Sequence, residues 1–212
     1  MTEKLFWDDP YVTGLDTAVA SVDGGAVTLA STIFFAESGG QESDEGTIAG
    51  VPVLEARADG LEIVYLLPEG HGLRPGDPVR VEIDGARRQK LMRLHFAAEL
   101  LLELVYRVVP GIEKVGAHIA ANKARIDFAY PENISELFLP VLTEIARLVP
   151  ADLPVTSAFE DEATERRYWE VAGFARVACS GTHPRRVGEV GAIVLNRKNP
   201  GRGVERIEIR LA

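Results

Sequence analysis

The chain has 212 residues, 46% of them hydrophobic, enough to fill the core of one large domain or two small ones. Its net charge of -9 speaks against a protein that coats nucleic acid, and its single cysteine excludes an internal disulfide. Residues Met1 to Phe6 hold no basic-then-apolar leader and no stretch approaches the roughly 18 apolar residues of a membrane span, so a cytoplasmic protein with no membrane contact is expected.

The first third reads as β structure. Ala18 to Val22 and Ala26 to Ala30 flank the turn Asp23-Gly24-Gly25, and the second of these strands is expected to run on to Ile33-Phe34-Phe35. A Gly-rich loop spans Glu37 to Ile48. A second hairpin, Val53 to Ala56 and Leu61 to Leu66, turns at Ala58-Asp59-Gly60, and Val79 to Ile83 is a last strand before Asp84-Gly85. These residues, 1–85, are expected to form a β-rich, barrel-like domain.

From Arg87 to Val109 the apolar positions Leu91, Leu94, Ala98, Leu101, Val105 and Val108 recur at steps of three and four, and Pro110-Gly111 supplies a stop. A long helix with a buried stripe is predicted. Two short strands follow around Ala121-Asn122. A second helix is expected over 133–148 with Asn133 and Glu136 as a capping box, then a strand at 154–159 and a short charged helix at 161–171. Strands at 173–178, 188–195 and 203–211 complete an α+β domain, 86–212, in which helices cover an antiparallel sheet.

Within the long helix, His95 and Glu99 lie four residues apart. Side chains at that spacing rise from one face with Cβ atoms about 5 to 6 Å apart, which one metal ion can bridge. The cysteine lies in Cys179-Ser180-Gly181-Thr182-His183, again with a histidine four residues on. Zinc takes imidazole nitrogen, thiolate and carboxylate in tetrahedral sets, so His95, Glu99, Cys179 and His183 would make one site. The competing interpretation is a buried structural cysteine beside a satisfied core histidine. Gln41 and Thr182 are candidate polar contacts to a substrate or its oxyanion, and equally a turn residue and a local hydroxyl-to-backbone bond. His71 and His118 have no ligand-like neighbour at helical spacing.

Charge is clustered around these segments. Arg80, Arg87, Arg88, Lys90 and Arg93 precede or open the helix, and seven basic residues from Arg185 to Arg210 follow the cysteine segment, together 12 of the 23 Lys and Arg. A basic rim on an acidic protein can hold a phosphate backbone near a site. Glu189, Glu205 and Glu208 are interleaved, and solvated mixed faces would look the same.

Four segments, in order, resemble the AlaX-type alanyl-tRNA editing proteins, free-standing relatives of the editing domain of alanyl-tRNA synthetase. Residues 33–50 carry Gly-Gly-Gln and Ser-Asp-x-Gly-Thr-Ile; 88–101 resemble the Arg-x-x-Leu-Met-Arg-x-His-x-x-x-His helix; 179–191 resemble the Cys-Gly-Gly-Thr-His-Val and Gly-Glu-Ile-Gly segment; and 201–211 resemble the basic C-terminal strand. The resemblance covers nearly the full length. It implies a zinc-dependent hydrolase acting in trans on mischarged tRNA(Ala), chiefly Ser-tRNA(Ala) and in some members Gly-tRNA(Ala). It also implies zinc held by His95, Cys179 and His183, and contact with the tRNA acceptor end through Arg88, Arg93, Arg185, Arg186, Lys198 and Arg202. Monomer and homodimer are both compatible with it.

The second helix histidine of the pattern falls on Glu99, Ser180 replaces the first glycine after the cysteine, and Pro184 replaces the valine after the histidine. Three arrangements follow. Glu99 ligates the metal; or it stands beside a three-ligand site as general base; or no metal binds and Glu99 pairs with Arg93 or His95. The competing functions are an editing-deficient homologue that binds tRNA or metal, and a metal-dependent hydrolase of another small ester or amide.

Overall fold

The computed structural model describes residues 2–212 and divides them into two compact units, the first ending at Gln89 and the second beginning at Lys90. The class is α+β: mostly strands, with two α-helices among the described residues.

In the first unit the strands are β1 (Glu3–Lys4), β2 (Gly14–Asp23), β3 (Ala26–Leu29), β4 (Ser31–Thr32), β5 (Gly46–Ile48), β6 (Val51–Pro52), β7 (Glu55–Asp59), β8 (Glu62–Leu66) and β9 (Pro78–Ile83). Seven of them form one antiparallel sheet in the order β6-β5-β9-β2-β3-β8-β7, while β1 and β4 pair in parallel. The sheet curls because β2 changes partner along its length. Residues 14–18 pair with β9 and residues 19–23 with β3, and the register slips between Val19 and Ser21, where an extra residue bends the strand. The order is open from β6 to β7, so among the described residues no ladder closes it into a barrel. Alternation buries Val79, Val81 and Ile83 of β9 against a core that includes Phe34, Ile48 and Tyr65.

Ile33 to Phe35 do not extend β3 as expected. They are buried but irregular, so their backbone needs side-chain partners. Phe34 N–H donates to Thr32 Oγ1 at 3.0 Å, Phe35 N–H donates to Asp44 Oδ2 at 2.7 Å, and the carbonyl of Ile33 accepts from the Arg88 guanidinium at 2.6 Å.

Helix α1 (Gly85–Val108) starts where Asp84 Oδ1 accepts from the N–H groups of Ala86 and Arg87, at 2.9 and 3.0 Å, and stops before Pro110 and the left-handed Gly111. Its middle is buried on more than the predicted stripe: Met92, Phe96 and Leu100 are as inaccessible as Leu91, Leu94 and Leu101, whereas Val108 at the end is 43% exposed.

The second unit continues with β10 (Glu113–Ala120), β11 (Lys123–Ala129), α2 (Phe138–Ala151), β12 (Thr156–Asp161), β13 (Arg166–Val171), β14 (Ala175–Ala178), β15 (Ile193–Gly201) and β16 (Val204–Leu211). β10-β11-β16-β15 form a four-stranded antiparallel sheet and β12-β13-β14 a three-stranded one. Both helices contribute to one core with the four-stranded sheet, through Leu101 and Val105 of α1, Val141 and Ile145 of α2, and Phe128 and Ile207 of the strands.

Three expectations for this unit are corrected. Asn133 does cap, but through the N–H of Ser135 at 3.1 Å, opening a 3-10 turn over Ile134–Leu137; the α-helix begins at Phe138 and runs on to Ala151. The charged helix at 161–171 does not form. Asp161 instead closes a turn, accepting from Ala163 N–H and the Thr164 hydroxyl, and β13 follows with Arg167, Trp169 and Val171 buried in alternation. Residues 187–190 are a 3-10 turn ended by Gly191 at φ 69°, so the penultimate strand starts at Ile193 and carries Asn199-Pro200 within its far end.

Candidate metal centre

Two segments of the second unit meet here. Helix α1 sets His95 and Glu99 on one face, with His95 Nε2 3.4 Å from Glu99 Oε1. The second segment is the loop after β14. It is pinned before the site by Cys179 N–H donating to the Arg167 carbonyl at 2.9 Å, and after it by Val155 N–H donating to Arg185 O at 2.8 Å and Val187 N–H donating to Leu153 O at 2.9 Å. Between these ties the chain turns back on itself: the Gly181 N–H points at Cys179 Sγ, 3.4 Å away.

The loop sits directly on the His95 ring. A Cβ built on Gly181 would come 2.1 Å from His95 Cε1, so only glycine lets the backbone approach this closely. Sequence reasoning missed this role, because a glycine in a Ser-Gly-Thr run signals a turn and says nothing of what the turn touches. It missed Phe96 and Trp169 for a similar reason. Trp169 packs edge-on against Phe96 at 5.1 Å between ring centroids, and Phe96 against His183 at 6.0 Å, which backs the imidazole with apolar surface.

Glu99 turns one oxygen toward each imidazole: Oε1 toward His95 at 3.4 Å, and Oε2 toward His183 Nε2 at 3.0 Å. Cys179 Sγ lies 3.4 Å from His95 Nε2. One ligand atom from each of the four residues falls within 4.8 Å of all the others. The donor chemistry fits a metal ion of the zinc type, whose tetrahedral bonds of 2.0 to 2.3 Å would put donors about 3.3 to 3.8 Å apart, near the 3.0 to 3.4 Å of the three separations given above. His95, Glu99, Cys179 and His183 would hold it.

The four groups act on one another electrostatically. Burial by itself raises the Glu99 carboxyl, but the facing imidazoles of His95 and His183 outweigh it and hold the group well below the usual carboxylate range. Burial opposes charge on both histidines, yet Glu99 and Cys179 raise His95 well above its ordinary value, and the same pair raises His183. The Cys179 thiol is lowered: burial and Glu99 push it up, and the two histidines more than reverse that. Thiolate and carboxylate are the forms a metal takes, and a cation among the four answers the same preference that raises the imidazoles.

The remaining expected residues are dispersed. Thr182 is buried within the loop itself, between Gly181 and His183. Gln41 lies in the first unit, buried, with its backbone bridged to Ser38. Arg88 is a core residue of that unit, 1% exposed, and its guanidinium is committed to Asp44 and to the carbonyls of Ile33 and Pro10. This corrects its expected tRNA contact, since no exposed N–H fork is left to meet a phosphate. Arg93 donates twice to the Val190 carbonyl, at 3.2 and 3.0 Å, and Arg186 reaches Asp152 at 2.5 Å. Arg185, Lys198 and Arg202 are exposed.

No protein-family model matches the chain. Individual relatives do. The chain is 33% identical over 215 residues to the alanyl-tRNA editing protein AlaX-M of Pyrococcus horikoshii, an alignment covering 100% of this chain and 98% of that protein. It is 33% identical over 235 residues to the alanine–tRNA ligase of Methanopyrus kandleri, and 31% identical over 237 residues to that of Burkholderia thailandensis. Those alignments take in 97% of this chain but only 26% and 27% of the ligases, so the chain spans about a quarter of each synthetase. End-to-end similarity to the AlaX-M editing protein, with similarity to about a quarter of each synthetase, places this chain in the AlaX family of alanyl-tRNA editing proteins.

Proposed function

We propose that the protein is a trans-editing hydrolase that deacylates mischarged tRNA(Ala), with Ser-tRNA(Ala) as its main substrate and Gly-tRNA(Ala) as a second, at a zinc centre held by His95, Glu99, Cys179 and His183. The observation that carries this reading is the convergence of four zinc-type donors from segments 84 residues apart in the sequence. Zinc, when bound, supplies a positive charge that polarises an ester carbonyl and eases ionisation of water.

The chain's own residues do the rest. His95 and His183 are buried and braced by Gly181 and Phe96, so the site is preorganised rather than assembled by the substrate. Glu99 has two oxygens and two tasks: one completes the ligand set, and the other accepts a proton from the attacking water. The water oxygen adds to the ester carbonyl carbon, the bond from that carbon to the ribose oxygen breaks, and the proton taken up by Glu99 passes to the ribose oxygen, which leaves as a hydroxyl. Thr182 supplies a polar contact to the seryl side chain or the developing oxyanion.

Two anionic ligands, Cys179 and Glu99, bring a divalent centre to formal neutrality, whereas an imidazole at 99 would leave one positive charge. Elemental analysis paired with deacylation assays tests this. Wild type is expected to carry one zinc per chain, Glu99→Ala to lose zinc and activity together, and Glu99→His to keep zinc and deacylate faster than wild type. Zinc-loaded wild type that leaves Ser-tRNA(Ala) intact at the rate of buffer alone would falsify the hydrolase.

One observation favours a second reading. Four protein donors around one point is the closed pattern of structural zinc sites, which supports a metal-stabilised tRNA-binding homologue without hydrolysis. Zinc-loaded protein that retains tRNA(Ala) on a filter while releasing no serine would establish that alternative.

A further inference from the structure

The four-stranded sheet has one face in the core and one in solvent, and the solvent face carries a charge pattern that the site does not use. Alternation turns Ile119, Ile126, Phe128, Leu195, Ile207 and Ile209 inward, where all are buried. Their neighbours point the other way. Lys123 and Arg125 of β11, Arg206 and Arg210 of β16, and Lys198 of β15 project from three adjacent strands, and the register sets Arg206 beside both Asp127 and Lys198.

Among the described residues three carboxylates share this face: Glu113 of β10, exposed and opposite Ala129, stands at its outer edge, and the other two lie beneath the cations. Asp127 is 8% exposed and held by Arg125 and Arg206; Glu208 is 5% exposed and bonded by Lys123 at 2.5 Å. Lys198 and Arg210 are exposed, and both act on Glu208 through space. Over the three strands β11, β16 and β15 the negative charge is therefore covered by the cations, whose charge faces outward. Five cations against two covered carboxylates and one at the edge strand, on a chain of net charge -9, make a local exception to the protein's overall sign.

We propose that this open sheet face binds the phosphate backbone of paired RNA, the duplex part of the tRNA substrate. The inference rests on the tRNA reading above and adds which surface holds the body of that substrate. The spacing suits a polyanion: cations stand about 4.8 Å apart across strands and about 6.8 Å along them. The composition selects the duplex over single-stranded nucleotides. Among the described residues no Phe, Tyr or Trp projects from the face, and its one imidazole, His118 opposite Arg125, is half-buried, so it offers little platform on which successive splayed bases would stack, whereas A-form RNA is met through phosphate and 2′-hydroxyl groups.

The test compares Lys198→Gln/Arg210→Gln with the charge-preserving Lys198→Arg/Arg210→Lys in the full chain. Filter binding of uncharged tRNA(Ala) is measured at about 50 to 200 mM salt, and steady-state deacylation of Ser-tRNA(Ala) alongside it. The neutral pair is expected to lower the slope of log Kd against log salt by about 1.5 to 2, and to raise KM by about 10-fold with kcat unchanged. The charge-preserving pair is expected to keep the wild-type slope. A neutral pair with wild-type slope and Kd overturns the proposal and leaves the hydrolase reading intact. The expected slopes in a protein that releases no serine uphold this surface while the hydrolase reading falls. Wild type that retains no tRNA at low salt overturns both.

Discussion

The contact between Gly181 and His95 is where one atom decides the most. A methyl at 181 would need the space of the imidazole edge, 2.1 Å from Cε1, and neither a ring packed in the core nor a loop tied at both ends can yield that far without cost. Gly181→Ala is expected to cost about 1 to 3 kcal/mol of stability, as overpacking does. It should also weaken zinc retention by roughly 10- to 100-fold, because the ligand moves. Competition with a chromophoric chelator reads the second effect, and wild-type zinc affinity in the variant would show that the loop relaxes freely. Glu205 offers a residue-scale prediction away from the metal. Its carboxylate, 2% exposed, accepts two bonds from Arg197 at 2.6 Å, one from Asn199 at 2.7 Å and one from the Ile134 N–H at 3.4 Å. Arg197 chiefly, against the opposing effect of burial, holds its pKa below the usual range. A group depressed in the folded state adds stability above its unfolded pKa, about 4.3, and loses it as pH falls through the folded value. Glu205→Gln should thus be less stable than wild type by about 1 to 3 kcal/mol at pH 7. The gap should close as denaturation is repeated at pH values falling below 4.3; a gap independent of pH would mean that packing, not charge, holds this corner.

At the scale of elements, the entry of α1 is set by a buried ion pair and not by propensity alone. Arg88 meets Asp44 with both side chains at 2% exposure or less, and together they supply the partners that the irregular backbone from Ile33 to Phe35 lacks. Arg88→Met strands Asp44 and two backbone groups and should cost about 3 to 5 kcal/mol. Thermal melts read this loss, and the salt slope of tRNA binding should stay at the wild-type value; a reduced slope would return Arg88 to the RNA surface. The sequence could not make that distinction, because an arginine opening a helix looks the same whether it answers a phosphate in solution or an aspartate 44 positions away. The legible elements were those whose pattern is local. Asp23-Gly24-Gly25, the three-four spacing of α1, and the strands around Ala121-Asn122 all appear in the structure. The strand β13 was misjudged because Glu160 to Arg167 is dense in charge, which favours a solvated helix, while the deciding alternation of Arg167, Trp169 and Val171 includes a buried arginine that reads as polar. At the site, the i,i+4 spacing exposed His95 and Glu99, and the cysteine segment exposed its partners. The close approach of Gly181 and the apolar backing of Phe96 depend on tertiary contact and left no trace in spacing.

At the scale of the whole molecule, the two hydrophobic cores share no residue: one is built from Phe6 to Ile83, the other from Leu91 to Ile209. Each unit can therefore unfold as its own cooperative block. All four metal donors belong to the second, so metal should stabilise that block alone, by RT ln(1 + [L]/Kd), or about 4 kcal/mol when zinc stands at 1,000 times its Kd. The two tryptophans provide separate reporters, since Trp7 packs on Phe6 in the first unit and Trp169 is buried beside Phe96 in the second. In Trp7→Phe, fluorescence follows only the second unit; in Trp169→Phe, only the first. Chelating zinc from the Trp7→Phe protein should lower its fluorescence melting temperature by on the order of 10 °C. The same treatment of a zinc-loaded Trp169→Phe protein should leave the Trp7 transition in place, because all four donors belong to the second unit. Equal shifts in both variants would mean that the units melt as one, and that binding at His95, Glu99, Cys179 and His183 is felt through α1 across the whole chain.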